Sequence, residues 1–123
     1  MGTPLPDIQN REDVQLLVDR FYDQVRRDSL LFPVFAHVDW PAHLPTMYNF
    51  WSSILLGDGS YLGNPFQKHI GLAISGEHFD RWLELFTGTV RGNFEGARAD
   101  EAVARANSIA MLFRHRLGIE LPE

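Results

Sequence analysis

Apolar residues recur along this chain with the period of a helix. Val14, Leu17, Val18, Phe21 and Val25 follow the offsets i, i+3, i+4, i+7 and i+11, which puts them on one face of a helix over about 12–28. Phe79, Trp82, Leu83, Phe86 and Val90 repeat those offsets and predict a helix over about 76–92. Val103, Ala106, Ala110, Phe113 and Leu117 do so more loosely over about 100–117, with Asp100 placed to cap the start and Gly118 to stop the end. Between the first two stripes, Trp40, Leu44, Met47, Trp51 and Ile54 mark another helix over about 41–56. Pro41 suits its first turn, Pro45 fits only near its start, and Gly57-Asp58-Gly59 ends it.

No stretch alternates apolar and polar residues over a strand's length. The pattern therefore predicts an all-α chain of four main helices, with short helical pieces near 30–36 and 65–70. The segment from Gly57 to Ile74 breaks the rhythm. It carries Gly57, Gly59, Gly63, Gly71 and Pro65 in mid-chain, and it holds Tyr61, Phe66, His69 and Ile70. Long irregular connections inside compact domains tend to be functional or disordered.

Composition narrows the function. A chain of 123 residues is one domain by length, residues 1–123, with 1–10 read as an extended or loosely ordered start. Aromatics make up 12%, with 9 Phe, 3 Trp and 3 Tyr, which suits an ordinary core and equally a pocket for a flat ligand. The net charge of −5 argues against a nucleic-acid partner. The absence of cysteine excludes a disulfide framework, a Cys-ligated zinc or iron–sulfur site and a thiol nucleophile. No apolar run approaches ~18–20 residues, which excludes a spanning helix. Met1 to Asn10 is polar, holds two prolines and lacks a signal-peptide core, so the chain is read as cytoplasmic, and its acidic surface as that of a monomer.

Four side chains could carry chemistry. His69 ends a one-turn helix that Asn64 can cap and Pro65 can open. The residues alone leave it between a surface histidine favoured by the helix dipole and an axial ligand to iron. His43 shares a bulky apolar face with Met47, Phe50 and Trp51, as a core or boundary histidine would, or one beside a cofactor. Tyr22 lies on the inner side of the first helix, where a phenol needs a partner for its hydroxyl. Trp82 offers an indole N–H, which only donates, on a stripe where core filling is the commoner fate. His37, His78 and His115 are read as structural or surface residues. No metalloprotease, phosphate-loop or calcium-loop motif is present.

Taken in order, several short motifs resemble the group III (P-type) truncated hemoglobins of the bacterial globin family. They are Phe21-Tyr22-Asp23-Gln24-Val25-Arg26-Arg27-Asp28, Phe32-Pro33-Val34-Phe35, and His43 followed by Met47-Tyr48-Asn49-Phe50-Trp51. They continue with Leu55-Leu56-Gly57, Gly63-Asn64-Pro65 through Lys68-His69, and His78-Phe79-Asp80-Arg81-Trp82-Leu83-Glu84-Leu85-Phe86. The resemblance spans about 12–117, and the order and spacing of the motifs are what make it specific.

That resemblance implies a two-over-two helical sandwich around haem b. It makes His69 the proximal iron ligand, His43 the distal gate, and Tyr22 and Trp82 the hydrogen-bond donors to the bound ligand, with Phe21 beside them. Phe35, Met47, Trp51, Phe66, Ile74 and Phe86 become haem contacts, and Lys68 is placed to reach a propionate. The implied function is binding of O2, CO and NO at pentacoordinate ferrous iron. Two alternatives accompany it: a haem enzyme for NO dioxygenation or peroxide activation, drawing on an external reductase, and a haem-free interaction or sensor domain. Pro45, two residues after His43, is expected to loosen the distal helix.

Overall fold

The first helix begins where its backbone donors find a cap. Asn10 accepts from the backbone N–H of Asp13 at 3.0 Å, and the Asp13 carboxylate accepts from the N–H of Gln9 at 2.8 Å. In the structure, a computed structural model that describes residues 4–36, 38–61 and 76–116, this helix is α1, Arg11–Arg27. Three more follow: α2 (Trp40–Leu56), α3 (Gly76–Asn93) and α4 (Ala97–Arg116). No strand occurs among the described residues.

The piece expected near 30–36 is a run of hydrogen-bonded turns rather than a helix. Asp28 starts it, with its carboxylate accepting from the N–H groups of Leu30 and Leu31 at 2.9 and 3.1 Å. The piece expected at 65–70, and Leu117 and Gly118 at the end of α4, lie outside the described residues.

Pro41 falls in the first turn of α2, where the N–H groups have no intrahelical partner, whereas Pro45 lies inside the helix and costs it one backbone bond, to the Pro41 carbonyl. Its C-cap, Gly57, has φ 66°, the left-handed conformation that glycine adopts without strain. Beyond it the Asp58 carboxylate accepts from the Ser52 hydroxyl, from the Ser60 hydroxyl at 2.6 Å and from the Ser60 N–H at 3.0 Å. These bonds, led by the one from Ser52, hold its carboxyl down at about 2.

α4 departs from its expected start. It begins at Ala97, and Asp100 is not its cap: Asp100 pairs with Arg91 at 2.6 Å. The cap comes from the N-terminal segment. The Asp7 carboxylate accepts from the N–H groups of Arg98 and Ala99 at 3.0 and 2.9 Å. Gly96 makes room for it, because a Cβ there would sit 2.6 Å from the Asp7 Cγ. Glu95 N–H donates to the Pro6 carbonyl at 2.9 Å, and Ile8 is fully buried. Residues 4–9 thus form no regular element but are tied to the corner between α3 and α4.

Asp7→Ala is expected to cost about 0.5–2 kcal/mol, the worth of a helix cap. Burial alone would raise the Asp7 carboxyl, but the N–H groups of Arg98, Ala99 and Ile8 outweigh it and hold it below 3.8. Its share of stability is therefore full above that value and fades as pH falls through the lowered one. Thermal melts of the two proteins from neutral to strongly acidic pH check this: the gap between them should close on acidification. A gap that does not change with pH would contradict the assignment.

The helices pair antiparallel. α2 runs back along α1, where Asp19 accepts from the Tyr48 hydroxyl and the Asn49 side chain accepts from Arg11. α3 crosses back over α1 through Gln24 to Thr89 at 2.8 Å and an Arg81–Asp28 pair at 3.4 Å. α4 returns along α3 through the Arg91–Asp100 pair and an Arg114–Asp80 pair at 3.2 Å. The result is the expected two-over-two arrangement, α1 with α2 and α3 with α4. The buried face of α4 is Ala99, Ala102, Ala106, Ala110 and Phe113, mostly small residues that let neighbouring helices approach; Val103 is only half-buried at its edge. No helix among the described residues is long and apolar enough to cross a membrane.

Candidate functional site

The four helices leave a cavity between the two pairs. Tyr22 of α1, Met47, Phe50 and Trp51 of α2, His78, Phe79 and Trp82 of α3, and Ile109, Ala110 and Phe113 of α4 line it. The turns before α2 close one side with Leu31, Val34 and Phe35. The space open to the centre of a water molecule is ≈ 80 Å³, and the unfilled space with the mouth included is ≈ 790 Å³. A single water needs on the order of 10–15 Å³ by the first measure, so this is a ligand pocket and not a packing defect.

The cavity exists because aromatic rings are locked behind it. Phe86 is fully buried and stacked on Trp82 (centroids 5.5 Å apart, planes 7° apart) and on Trp51 (4.7 Å, 22°). Phe21 meets both Trp82 and Phe86 edge-on, at 5.5 and 5.1 Å. Rigid rings cannot collapse into the space they border, so the wall keeps its shape. On the far side Phe79, Ala110 and Phe113 form a separate small cluster, with Arg114 placed 5.8 Å over the Phe79 ring.

Polar groups on this wall are few. Tyr22 is 5% exposed, and burial pushes its hydroxyl well above the usual phenol range, so it stays a neutral donor. Trp82 contributes an indole on the same wall. His78 is the third polar side chain on the wall. Off the wall, Tyr61 packs edge-on behind Phe50 at 5.2 Å, and burial raises its hydroxyl as well.

Of the candidate residues, Tyr22, Phe35, Met47, Trp51 and Trp82 line this one cavity. His43 lies off the wall, 5.5 Å from the Tyr22 ring and 5.5 Å from the Trp40 ring. Phe21 and Phe86 also sit off the wall, in the core behind Trp82. His69, Phe66, Lys68 and Ile74 lie outside the described residues, as does His37. His78, expected to be structural or on the surface, instead lines the cavity. The spacing carries a signal for it: His78, Trp82 and Phe86 are four apart on one face of α3.

An apolar, aromatic cavity with a buried phenol and an indole fits a flat, largely apolar cofactor that takes a small polar ligand. Haem is such a group, and the described residues fit it.

Comparison with known proteins agrees. A model of the bacterial-like globin family matches residues 7–114. A group 3 truncated hemoglobin of Campylobacter jejuni is 33% identical over 115 residues, covering 88% of this chain and 91% of that protein. A group 1 truncated hemoglobin of Nostoc commune is 33% identical over 81 residues, 65% of this chain and 69% of that protein. The crystal structure of a group III truncated hemoglobin from Campylobacter jejuni matches with a TM-score of 0.81 at 34% identity, covering 89% of this chain and 91% of that one.

Proposed function

This chain belongs to the bacterial-like globins, among the group III truncated hemoglobins, and from that premise we propose that it binds O2, CO and NO at haem b. Membership of the globins implies haem and small gaseous ligands. When bound, haem supplies a ferrous iron with an open position for the gas. The protein's part is to hold the group, keep water out and place donors where the ligand's charge develops.

In this reading His69 is the iron's protein ligand, and the neutral imidazole binds through one nitrogen while the other donates to an acceptor. Phe35, Met47, Trp51 and Trp82 hold the macrocycle through the cavity wall. Tyr22 and Trp82 donate to the ligand, and His43 stands next to Tyr22 as the gate. The observation that carries the reading is Tyr22: a buried, neutral hydroxyl on the wall of a mostly apolar cavity whose other polar side chains are His78 and the Trp82 indole. Such a group costs stability unless it meets an acceptor, and a polarised diatomic ligand is one.

An absorption spectrum tests it. Haem-reconstituted protein, ferric and then reduced, is expected to show one haem per chain and a Soret band that shifts with CO. His69→Ala should lose or visibly alter that band. Failure to take up stoichiometric haem would reject the reading and leave a haem-free interaction domain on the same fold.

A further inference from the structure

The Tyr22 ring is held by four others. Phe21 lies 4.8 Å away between centroids, Trp40 5.2 Å, His43 5.5 Å and Phe35 6.4 Å. Trp40 ties this group together on the α2 side. It also meets His43 at 5.5 Å, nearly edge-on at 78°, and Phe35 at 6.1 Å. From the solvent side the guanidinium of exposed Arg26 lies 4.9 Å from its ring centroid. Arg26 is one helical turn after Tyr22, and its Nε donates to the Tyr22 carbonyl at 3.4 Å. Arg26, Trp40 and Tyr22 thus form a layered path from solvent to the cavity wall.

Trp40 needs such a hold. It is the first residue of α2, half-buried, and Asp39 before it makes no side-chain cap. Pro45 lacks the N–H that would bond the Pro41 carbonyl, so this first turn is tied by fewer backbone bonds than a turn further along. The clasp that sets the ring is therefore side chain on side chain.

We infer that Trp40, clamped by Arg26, is a positioning residue that fixes the Tyr22 ring and so aims its hydroxyl at a cavity ligand. The inference rests on the proposed role of Tyr22; what it adds is the residue that sets the aim. A hydrogen bond weakens steeply once its angle falls below about 120°, so a modest tilt of the ring silences the donor without any change at the hydroxyl itself. Trp40 is not part of the cavity lining, so it acts only through Tyr22 and the neighbouring rings.

The test uses haem-reconstituted protein with CO and O2 as probes. A donor near bound CO lowers its stretching frequency, and losing the donor raises it. Trp40→Leu is expected to raise the CO stretch in the same sense as Tyr22→Phe and to speed O2 dissociation on the order of tenfold, the effect of one lost hydrogen bond to a charged group. Trp40→Phe, which keeps a ring, should stay near the parent, and Arg26→Gln should move both readouts part of the way. Combining Trp40→Leu with Tyr22→Phe should add nothing to Tyr22→Phe alone, because both act through one hydroxyl.

A Trp40→Leu protein with the parent's CO stretch and O2 rate, alongside a shifted Tyr22→Phe, would overturn the inference. So would full additivity in the double variant. An unshifted Tyr22→Phe would instead bring down the role of Tyr22 itself, and the inference with it, a result distinct from an inert Trp40.

Discussion

Replacing Tyr22 and Trp82 together by phenylalanine is expected to speed O2 loss by roughly a hundredfold or more. Each donor to a partly charged oxygen contributes about 1.5–3 kcal/mol, and ~1.4 kcal/mol is tenfold in a rate. Tyr22→Phe keeps the ring, and Trp82→Phe exchanges the indole for a smaller phenyl. Trp82→Phe leaves an aromatic surface for Phe86, which now stacks on the indole at 5.5 Å, and Tyr22→Phe leaves the contacts with Phe21 and Trp40 in place. Tyr22→Phe removes a donor and leaves the wall as it is, whereas Trp82→Phe removes a donor and also takes volume from the wall, so the Tyr22 single variant is the cleaner measure of a donor. Stopped-flow displacement of O2 by CO measures it, with the single variants each falling between the parent and the double. The pH dependence sharpens the test. Burial holds the Tyr22 hydroxyl neutral beyond the usual phenol range, and an indole N–H does not titrate, so the parent's rate should stay flat through mildly alkaline pH. A double variant that holds O2 as long as the parent would remove both residues from the mechanism.

How far the sequence carries is visible in particular residues. The stripe Val14, Leu17, Val18, Phe21, Val25 predicts a helix over about 12–28, and α1 spans Arg11–Arg27 with all five buried. The stripe of α3 places that helix equally well, with Phe79, Phe86 and Val90 buried and Trp82 and Leu83 half-buried. Both succeed because an amphipathic face is a local, periodic property. The start of α4 moves from Asp100 to Ala97 because its cap is Asp7, some ninety positions away along the chain, and capping rules that look at adjacent residues cannot find it. The turns at 29–36 escape for a related reason: the Asp28 carboxylate organises them as turns where the apolar spacing reads as a helix.

The site is legible as a set and not as a geometry. Tyr22, Phe35, Met47, Trp51 and Trp82 converge on one cavity. Periodicity, however, cannot tell the wall of a pocket from the core behind it. Phe79 and Phe86 belong to the same stripe, yet Phe79 borders the cavity while Phe86 lies fully buried between two indoles. His78 is read from the sequence as structural or surface because a histidine in a first helical turn carries no mark of a site, whereas here that turn forms part of the cavity wall. Trp40 reads as one more stripe residue, and its contacts with Arg26, Tyr22 and His43 arise only when α2 folds back along α1.

Phe86→Ala is expected to be the most damaging single change to the fold, at about 3–5 kcal/mol. Phe86 is 0% exposed and touches three rings that belong to three different helices: Trp51 of α2 at 4.7 Å, Trp82 of α3 itself at 5.5 Å and Phe21 of α1 at 5.1 Å. Truncation leaves a hole that those flat rings cannot fill without turning, so the loss includes both the buried area and the cavity left behind. For a domain of this size that corresponds to a fall of roughly 10–20 °C in Tm. Phe86→Leu, which fills most of the volume but forfeits the stacking, should cost only about a third as much. The effect should reach the site, because Trp51 and Trp82 present one side to Phe86 and also line the cavity. Freed from that stack, they should hold a flat cofactor less tightly, and haem transfer to an acceptor protein should quicken more in Phe86→Ala than in Phe86→Leu. Thermal melts and haem-transfer rates, measured on the same variants, separate the two roles. A large fall in Tm with an unchanged transfer rate would make Phe86 a residue of the core alone, while a change in both would show that the core behind the wall sets the grip of the pocket in front of it.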